Sequence, residues 1–239
     1  MATLLLKKNG ITPDYVCGLS LGEYSALSAS GVFDPKTAIQ VVRERGLAME
    51  KAAEGVESAM MAILGLEREP LLDICDSCDG YVSIANYNCP GQLVIAGEKK
   101  AVEEAGQKAL DHGARRAVPL NTSGPFHTKL LKDASTRLHE VFKDVTFHEM
   151  NVPVIFNCTG KELEDCSVQE MLEKQVMSPV YFEDSIRTMI NNGVDTIIEI
   201  GPGKVLSGFV RKIDRKIKTY QVEDMASLQK CVEAFNETK

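Results

Sequence analysis

The stretch Gly18-Leu19-Ser20-Leu21-Gly22 constrains this chain more than any other. It closes the apolar, strand-like run 15–19 and opens a helix-forming stretch that reaches residue 30. A G-x-S-x-G pattern in that setting makes a sharp strand–turn–helix elbow. The elbow presents Ser20 at a helix N-terminus, where free N–H groups and the helix dipole favour developing negative charge. The N–H of Leu21, the residue after the serine, is a natural oxyanion donor. The competing reading is a serine in an ordinary tight turn.

The rest of the chain alternates in a way that suits such an elbow. Residues 1–8 read as a helix, and Pro35 opens another through Val41, Leu47 and Met49. The middle reads β-α-β-β-α-β: strand near 59–66, helix near 67–78, strands at 81–88 and 92–97, an amphipathic helix at 99–113, and a strand at 114–120. Cys89-Pro90-Gly91 is the turn between the paired strands, and Gly113 is a C-cap signal. That order is the ferredoxin-like arrangement. Afterwards strands and helices alternate again to the end, which implies a mostly parallel sheet covered by helices. The expected fold is therefore α/β. Residues 1–53 and 124–239 would form a large subdomain, and 54–123 an inserted ferredoxin-like one.

Composition narrows the function. With 239 residues the chain can bury a full core. A net charge of −7 argues against general nucleic-acid binding. No run approaches the roughly 18 apolar residues that a membrane helix needs, and the lysines of MATLLLKKNG follow the apolar run, the reverse of a signal peptide. Seven scattered cysteines read as free thiols in a reducing cytoplasm. Cys75 and Cys78 form a lone C-x-x-C, and one pair cannot close a tetrahedral metal site, so no metal is expected.

A nucleophilic serine needs a base. His112 lies at a helix end, His139 within a charged helix and His148 in a polar stretch. His127 sits in the loop Ser123-Gly124-Pro125-Phe126-His127-Thr128, just before a helix, where catalytic groups are usually mounted. A structural loop histidine is the plainer alternative. Acidic residues lie between Ser20 and His127, so chain order excludes no triad, but a ferredoxin-like segment is not the usual place for a triad acid, and a base oriented by a backbone carbonyl is the alternative. Arg45 is one of two arginines on a charged helix face, with Arg43, and taken alone reads as solvated.

GLSLGEYSAL, Arg45-Gly46, NYNCPGQLVIAG, SGPFHT, KQVMSPV and EIGPGKVL together resemble the malonyl-CoA:acyl carrier protein transacylase family, in its order and spacing across nearly the whole chain. The resemblance implies an α/β-hydrolase-like large subdomain with a ferredoxin-like small one. It implies Ser20 as the acyl-carrying nucleophile, His127 as its base, and Gln175 as the residue whose backbone carbonyl orients that base. Arg45 would grip the free carboxylate of malonate, a task suited to a planar guanidinium. Phe126 resembles the bulky residue of malonyl-selective members and would exclude a methyl branch. The implied cycle is ping-pong, from malonyl-CoA to the phosphopantetheine thiol of acyl carrier protein, with no cofactor. The basic run Lys204, Arg211, Lys212, Arg215 and Lys216 would steer an acidic carrier protein, against the plainer reading of a solvated face.

The chain departs from the pattern in two places. Leu19 replaces a histidine that many members carry. The family's opening strand and G-Q-G-type loop, whose glutamine supplies a second oxyanion donor, have no counterpart before Ser20. The readings of that departure are a fragment, a mis-assigned start, or a short variant completed in trans. The alternatives to malonyl transfer in fatty-acid synthesis are the same chemistry for a polyketide synthase, a serine esterase or thioesterase, and an inactive fragment.

Overall fold

Apolar strands alternating with amphipathic helices give parallel pairing at both ends of the chain and antiparallel pairing in its middle. The computed structural model describes residues 1–236. The first part runs α1 (Ala2–Lys8), β1 (Val16–Cys17), α2 (Leu21–Ser30) and α3 (Pro35–Ala53). The middle runs β2 (Ser58–Leu64), α4 (Arg68–Asp76), β3 (Val82–Cys89), β4 (Gln92–Glu98), α5 (Lys99–Asp111) and β5 (Arg116–Pro119). A 3-10 turn (Lys129–Leu131) leads into α6 (Lys132–Phe142), then β6 (Val154–Ile155), α7 (Val168–Gln175) and α8 (Phe182–Asn191). The last part is β7 (Thr196–Ile200), α9 (Val205–Ile213), β8 (Lys218–Val222) and α10 (Met225–Asn236).

Local chemistry sets the helix limits. Asp34 caps α3 by accepting from the N–H groups of Lys36 and Thr37, with Pro35 at the first helical position. Ser167 and Glu170 form a reciprocal capping box on α7. Gly31 ends α2 in the left-handed region (φ 97°), and Gly113 takes the same region (φ 95°) after α5.

The middle sheet has the order β3-β4-β2-β5 with every pair antiparallel. That is the ferredoxin-like order, and α4 and α5 pack on it around Ile63, Leu71, Ile95 and Val102. β1 pairs with β6 and β7 with β8, both parallel. Helices α2, α3, α6 and α7 enclose a separate core that includes Tyr24, Leu27, Leu138 and Phe156. Two strands are shorter than their apolar runs suggest. Residues 15–19 and the run after Asn151 each keep only two paired residues, in β1 and β6, because only those two find partners in the register Val16↔Val154 and Cys17↔Ile155.

The two parts of the fold meet along the inner edge of β3. Val180 pairs with Asn86 in a single parallel bridge, held by Tyr87 N–H to Val180 O (2.9 Å) and Val180 N–H to Ala85 O (2.9 Å). Phe126 packs against both the large core and an apolar patch of the antiparallel sheet formed by Met60, Ala85, Val94 and Ala96. The loop that carries His127 is thereby fixed from both sides.

The elbow itself depends on one glycine. A Cβ at Gly18 would lie 2.0 Å from the carbonyl carbon of Gly22, so the first turn of α2 can sit on β1 only if residue 18 has no side chain. Gly22 faces open space, so its role in the pattern is not steric.

Candidate active site

Ser20 sits at the junction of β1 and α2 with φ 52° and ψ −102°. This lies outside the helical and extended regions, a strain of about 1–3 kcal/mol for a residue with a Cβ. Among the described residues, His127 is the other non-glycine residue with positive φ, at 61°. The two strained residues meet: Ser20 Oγ lies 2.7 Å from His127 Nε2. On the far side of the ring, Nδ1 lies 2.9 Å from the backbone carbonyl of Gln175. A carbonyl oxygen can only accept, so Nδ1 carries the proton and Nε2 presents its lone pair to the Ser20 hydroxyl. The His127 N–H also donates to Val176 O (3.2 Å), so the C-terminal end of α7 holds both the ring and the backbone of this residue.

His127 is 4% exposed. Burial, followed by the nearby Arg45 charge, pushes its pKa down to about 4, although the Gln175 carbonyl pulls the other way. The ring is therefore neutral, a proton acceptor, across the physiological range.

Arg45 is not on a solvated face. It is 6% exposed, and its Nη2 donates to Ser20 Oγ at 2.9 Å. Its guanidinium carbon lies 5.3 Å from the centre of the Tyr24 ring. Nε has no hydrogen-bond partner among the described residues, and Arg45 joins none of their ion pairs. Desolvation lowers its pKa, yet a guanidinium stays charged. Arg43, which the sequence could not separate from it, is exposed and pairs with Glu44 (3.0 Å). A buried cation outside any ion pair is costly, and a bound anion would offset that cost.

Leu21 begins α2, and its first-turn N–H has no intrahelical acceptor. Phe126 is half-buried next to His127. The other histidines lie apart: His112 bonds Lys108 O at the end of α5, His139 pairs with Glu173, and His148 is exposed.

Sequence reasoning missed several residues here. Glu23, completely buried on α2, and Asn157, after β6, both bond the elbow's surroundings. Glu23 gave one signal: it falls on the same helix face as Leu27 and Ser30, the buried side of α2. Asn157 gave none. The basic run also divides. Arg211, Lys212 and Arg215 line a surface concavity of about 830 Å3 together with Arg115 and Lys218. Lys204, at the start of α9, and Lys216 are exposed but do not line it.

An α/β fold in which an elbow serine meets a carbonyl-oriented histidine and a buried arginine fits a class of acyltransferases. The family described as acyl transferase domain matches residues 1–238. The malonyl CoA-acyl carrier protein transacylase of Bacillus subtilis is 46% identical over 235 residues, covering 97% of this chain and 74% of its own. The solved transacylase of Clostridium perfringens superposes with a TM-score of 0.94 at 41% identity, covering 98% of this chain and 75% of that one. A malonyl-transacylase solved with a type II PKS acyl-carrier protein superposes at 0.93 and 37% identity, covering 98% and 77%. The chain belongs to the malonyl CoA-acyl carrier protein transacylase family of acyl transferase domains.

The depressed His127 pKa makes a pH prediction. Acylation of Ser20 should hold its rate from pH 7 to about pH 5 and fall by half near pH 4, when His127 gains a proton. Single-turnover acylation rates across pH 3.5–8 on this folded protein would check it; a midpoint near the ordinary histidine value of about 6.5 would contradict it.

Proposed function

We propose that this chain moves a malonyl group from CoA to the phosphopantetheine thiol of acyl carrier protein, through an ester on Ser20, to supply fatty-acid synthesis. The observation that carries this reading is Arg45: buried, in no ion pair among the described residues, and 2.9 Å from the Ser20 hydroxyl. An acyl group with a negative charge at its far end complements such a cation.

The proposed steps use that geometry. Arg45 takes the free carboxylate of malonyl-CoA, replacing its bond to the serine, and so places the thioester carbonyl beside Oγ. His127 Nε2 accepts the Ser20 proton as Oγ forms the new C–O bond. The negative charge that gathers on the carbonyl oxygen faces the Leu21 N–H at the positive end of α2. The C–S bond then breaks, and His127 returns its proton to the departing CoA sulfur. The second half runs in reverse: His127 takes the proton of the carrier's thiol, sulfur attacks the ester, and Ser20 recovers its proton. Throughout, the Gln175 carbonyl stabilises the imidazolium through Nδ1–H. Each half-reaction moves one acyl group and one proton, so no metal or resident cofactor enters the proposal. Phe126, beside the base, is proposed to fill the space that a methyl branch on the substrate would need.

The carrier is proposed to approach over the concavity between α9, β8 and Arg115. Five cations and no carboxylate line it, which suits an acidic partner. Cytoplasmic residence is part of the same reading: all seven cysteines are free, and no described helix is long and apolar enough to cross a membrane.

Substrate comparison tests the central step. Arg45→Ala should lower kcat/KM for malonyl-CoA by about 10²-fold or more, given about 1.5–3 kcal/mol per hydrogen bond to a charged group, while acetyl-CoA is used as well as before or better. Equal losses on both substrates would remove Arg45 as the carboxylate receptor. In the same assay Phe126→Ser should raise methylmalonyl-CoA turnover relative to malonyl-CoA; an unchanged ratio sinks that role. For docking, Arg115→Glu with Lys212→Glu should raise the KM for carrier protein and flatten its salt dependence, with the acylation half unaffected; an unaltered KM and salt slope would exclude this face.

A further inference from the structure

Glu23 is a carboxylic acid with no exposed surface and no cationic ion-pair partner among the described residues. Nothing in the proton transfers uses it. Burying such a group is costly unless each oxygen is bonded. Both oxygens are: Oε2 accepts from the backbone N–H of Asn157, and Oε1 from the side-chain Nε2 of Gln175 at 3.1 Å. These two residues bind the elbow. The Asn157 side chain spans it, donating from Nδ2 to Gly18 O (2.6 Å) and accepting from Ser20 N–H at Oδ1 (2.7 Å). Gln175 Nε2 donates also to Ser20 O (2.9 Å).

The result is a closed circuit. The backbone groups on both sides of the strained Ser20 are held by side chains from two other elements, the loop after β6 and the end of α7. Glu23, three residues after Ser20 on α2, fixes those side chains in turn. Gln175 is the shared member, since its own carbonyl orients His127. We propose that Glu23, Asn157 and the side chain of Gln175 are positioning residues: they hold Ser20 in its strained conformation and place it in register with His127. This deepens the reading of Ser20 as nucleophile and rests on it, but it does not depend on which acyl group is carried.

The network makes chemical demands that separate it from ordinary packing. Both Glu23 oxygens face N–H donors, and those bonds oppose the burial that pushes its pKa up to about 8; a glutamine of the same shape fixes an NH2 against one of the two N–H groups at every pH. Gln175→Ala removes the side-chain link while leaving the backbone carbonyl that orients His127. Asn157→Asp keeps the acceptor for Ser20 N–H and loses the donor to Gly18 O. Each change shifts the nucleophile and keeps the Gln175 carbonyl on His127; Glu23→Gln also removes a carboxyl whose charge acts on Arg45.

The test is irreversible labelling of Ser20 by a neutral fluorophosphonate, which needs an aligned Ser–His pair but no malonyl group. In the full chain, Glu23→Gln, Gln175→Ala and Asn157→Asp should each lower the maximal labelling rate by about 10- to 100-fold, as expected for a displaced nucleophile, with the half-saturating reagent concentration within about twofold. Circular dichroism would confirm matched folded fractions. Glu23→Gln combined with Gln175→Ala should cost little more than either alone, because both break one circuit. Labelling at the wild-type rate in the folded variants, or fully additive losses, overturns the proposal. Absence of Ser20 labelling in the wild type also overturns it. Normal wild-type labelling without acylation by malonyl-CoA would instead count against the malonyl reading and leave the positioning role standing.

Discussion

The site depends on keeping one serine in a backbone conformation that its side chain disfavours. Ser20 has φ 52° because β1 must reverse into α2 within a few residues, and Gly18 lets the helix sit on the strand at a distance no side chain would allow. The strain, about 1–3 kcal/mol, persists only where surrounding bonds over-determine it. Here they do: the Gly18 carbonyl, the Ser20 amide and the Ser20 carbonyl are all taken by side chains of Asn157 and Gln175. What remains at the elbow is a hydroxyl aimed at His127 and the first-turn N–H of Leu21.

The same arrangement explains why His127 needs no carboxylate behind it. A buried aspartate would be a second desolvated charge beside a neutral imidazole. The carbonyl of Gln175 fixes the tautomer as well as an acid would, without that cost. With Arg45 on the other side of Ser20, an aspartate would also compete for the guanidinium that the substrate's carboxylate is proposed to use. With the carbonyl in that place, Arg45 joins no ion pair among the described residues.

Much of the fold was readable from the sequence because it is written in local patterns. The amphipathic helix Lys99–Asp111, the turn at Pro90-Gly91 and the Asp34-Pro35 start of α3 each carry their own signals. The lengths of β1 and β6 were not readable, since a strand ends where its partner ends. At the site, the elbow signalled Ser20 and its loop signalled His127. Arg45 and Arg43 share a helix and a charge, and only the fold buries one and exposes the other. Glu23 is a harder case: an acid in the first turn of a helix usually faces water and complements the dipole, and its burial follows from which face of α2 meets the loop after β6. Arg115 joins Arg211 and Lys212 across nearly a hundred residues of chain, a proximity that belongs to topology alone.

The most direct measurement is the mass of the Ser20 peptide after brief incubation with malonyl-CoA and acid quenching. The account predicts one malonyl group esterified to Ser20, lost when acyl carrier protein is added, and never formed in Ser20→Ala. An unmodified Ser20, or a malonyl group found on another residue, would contradict it.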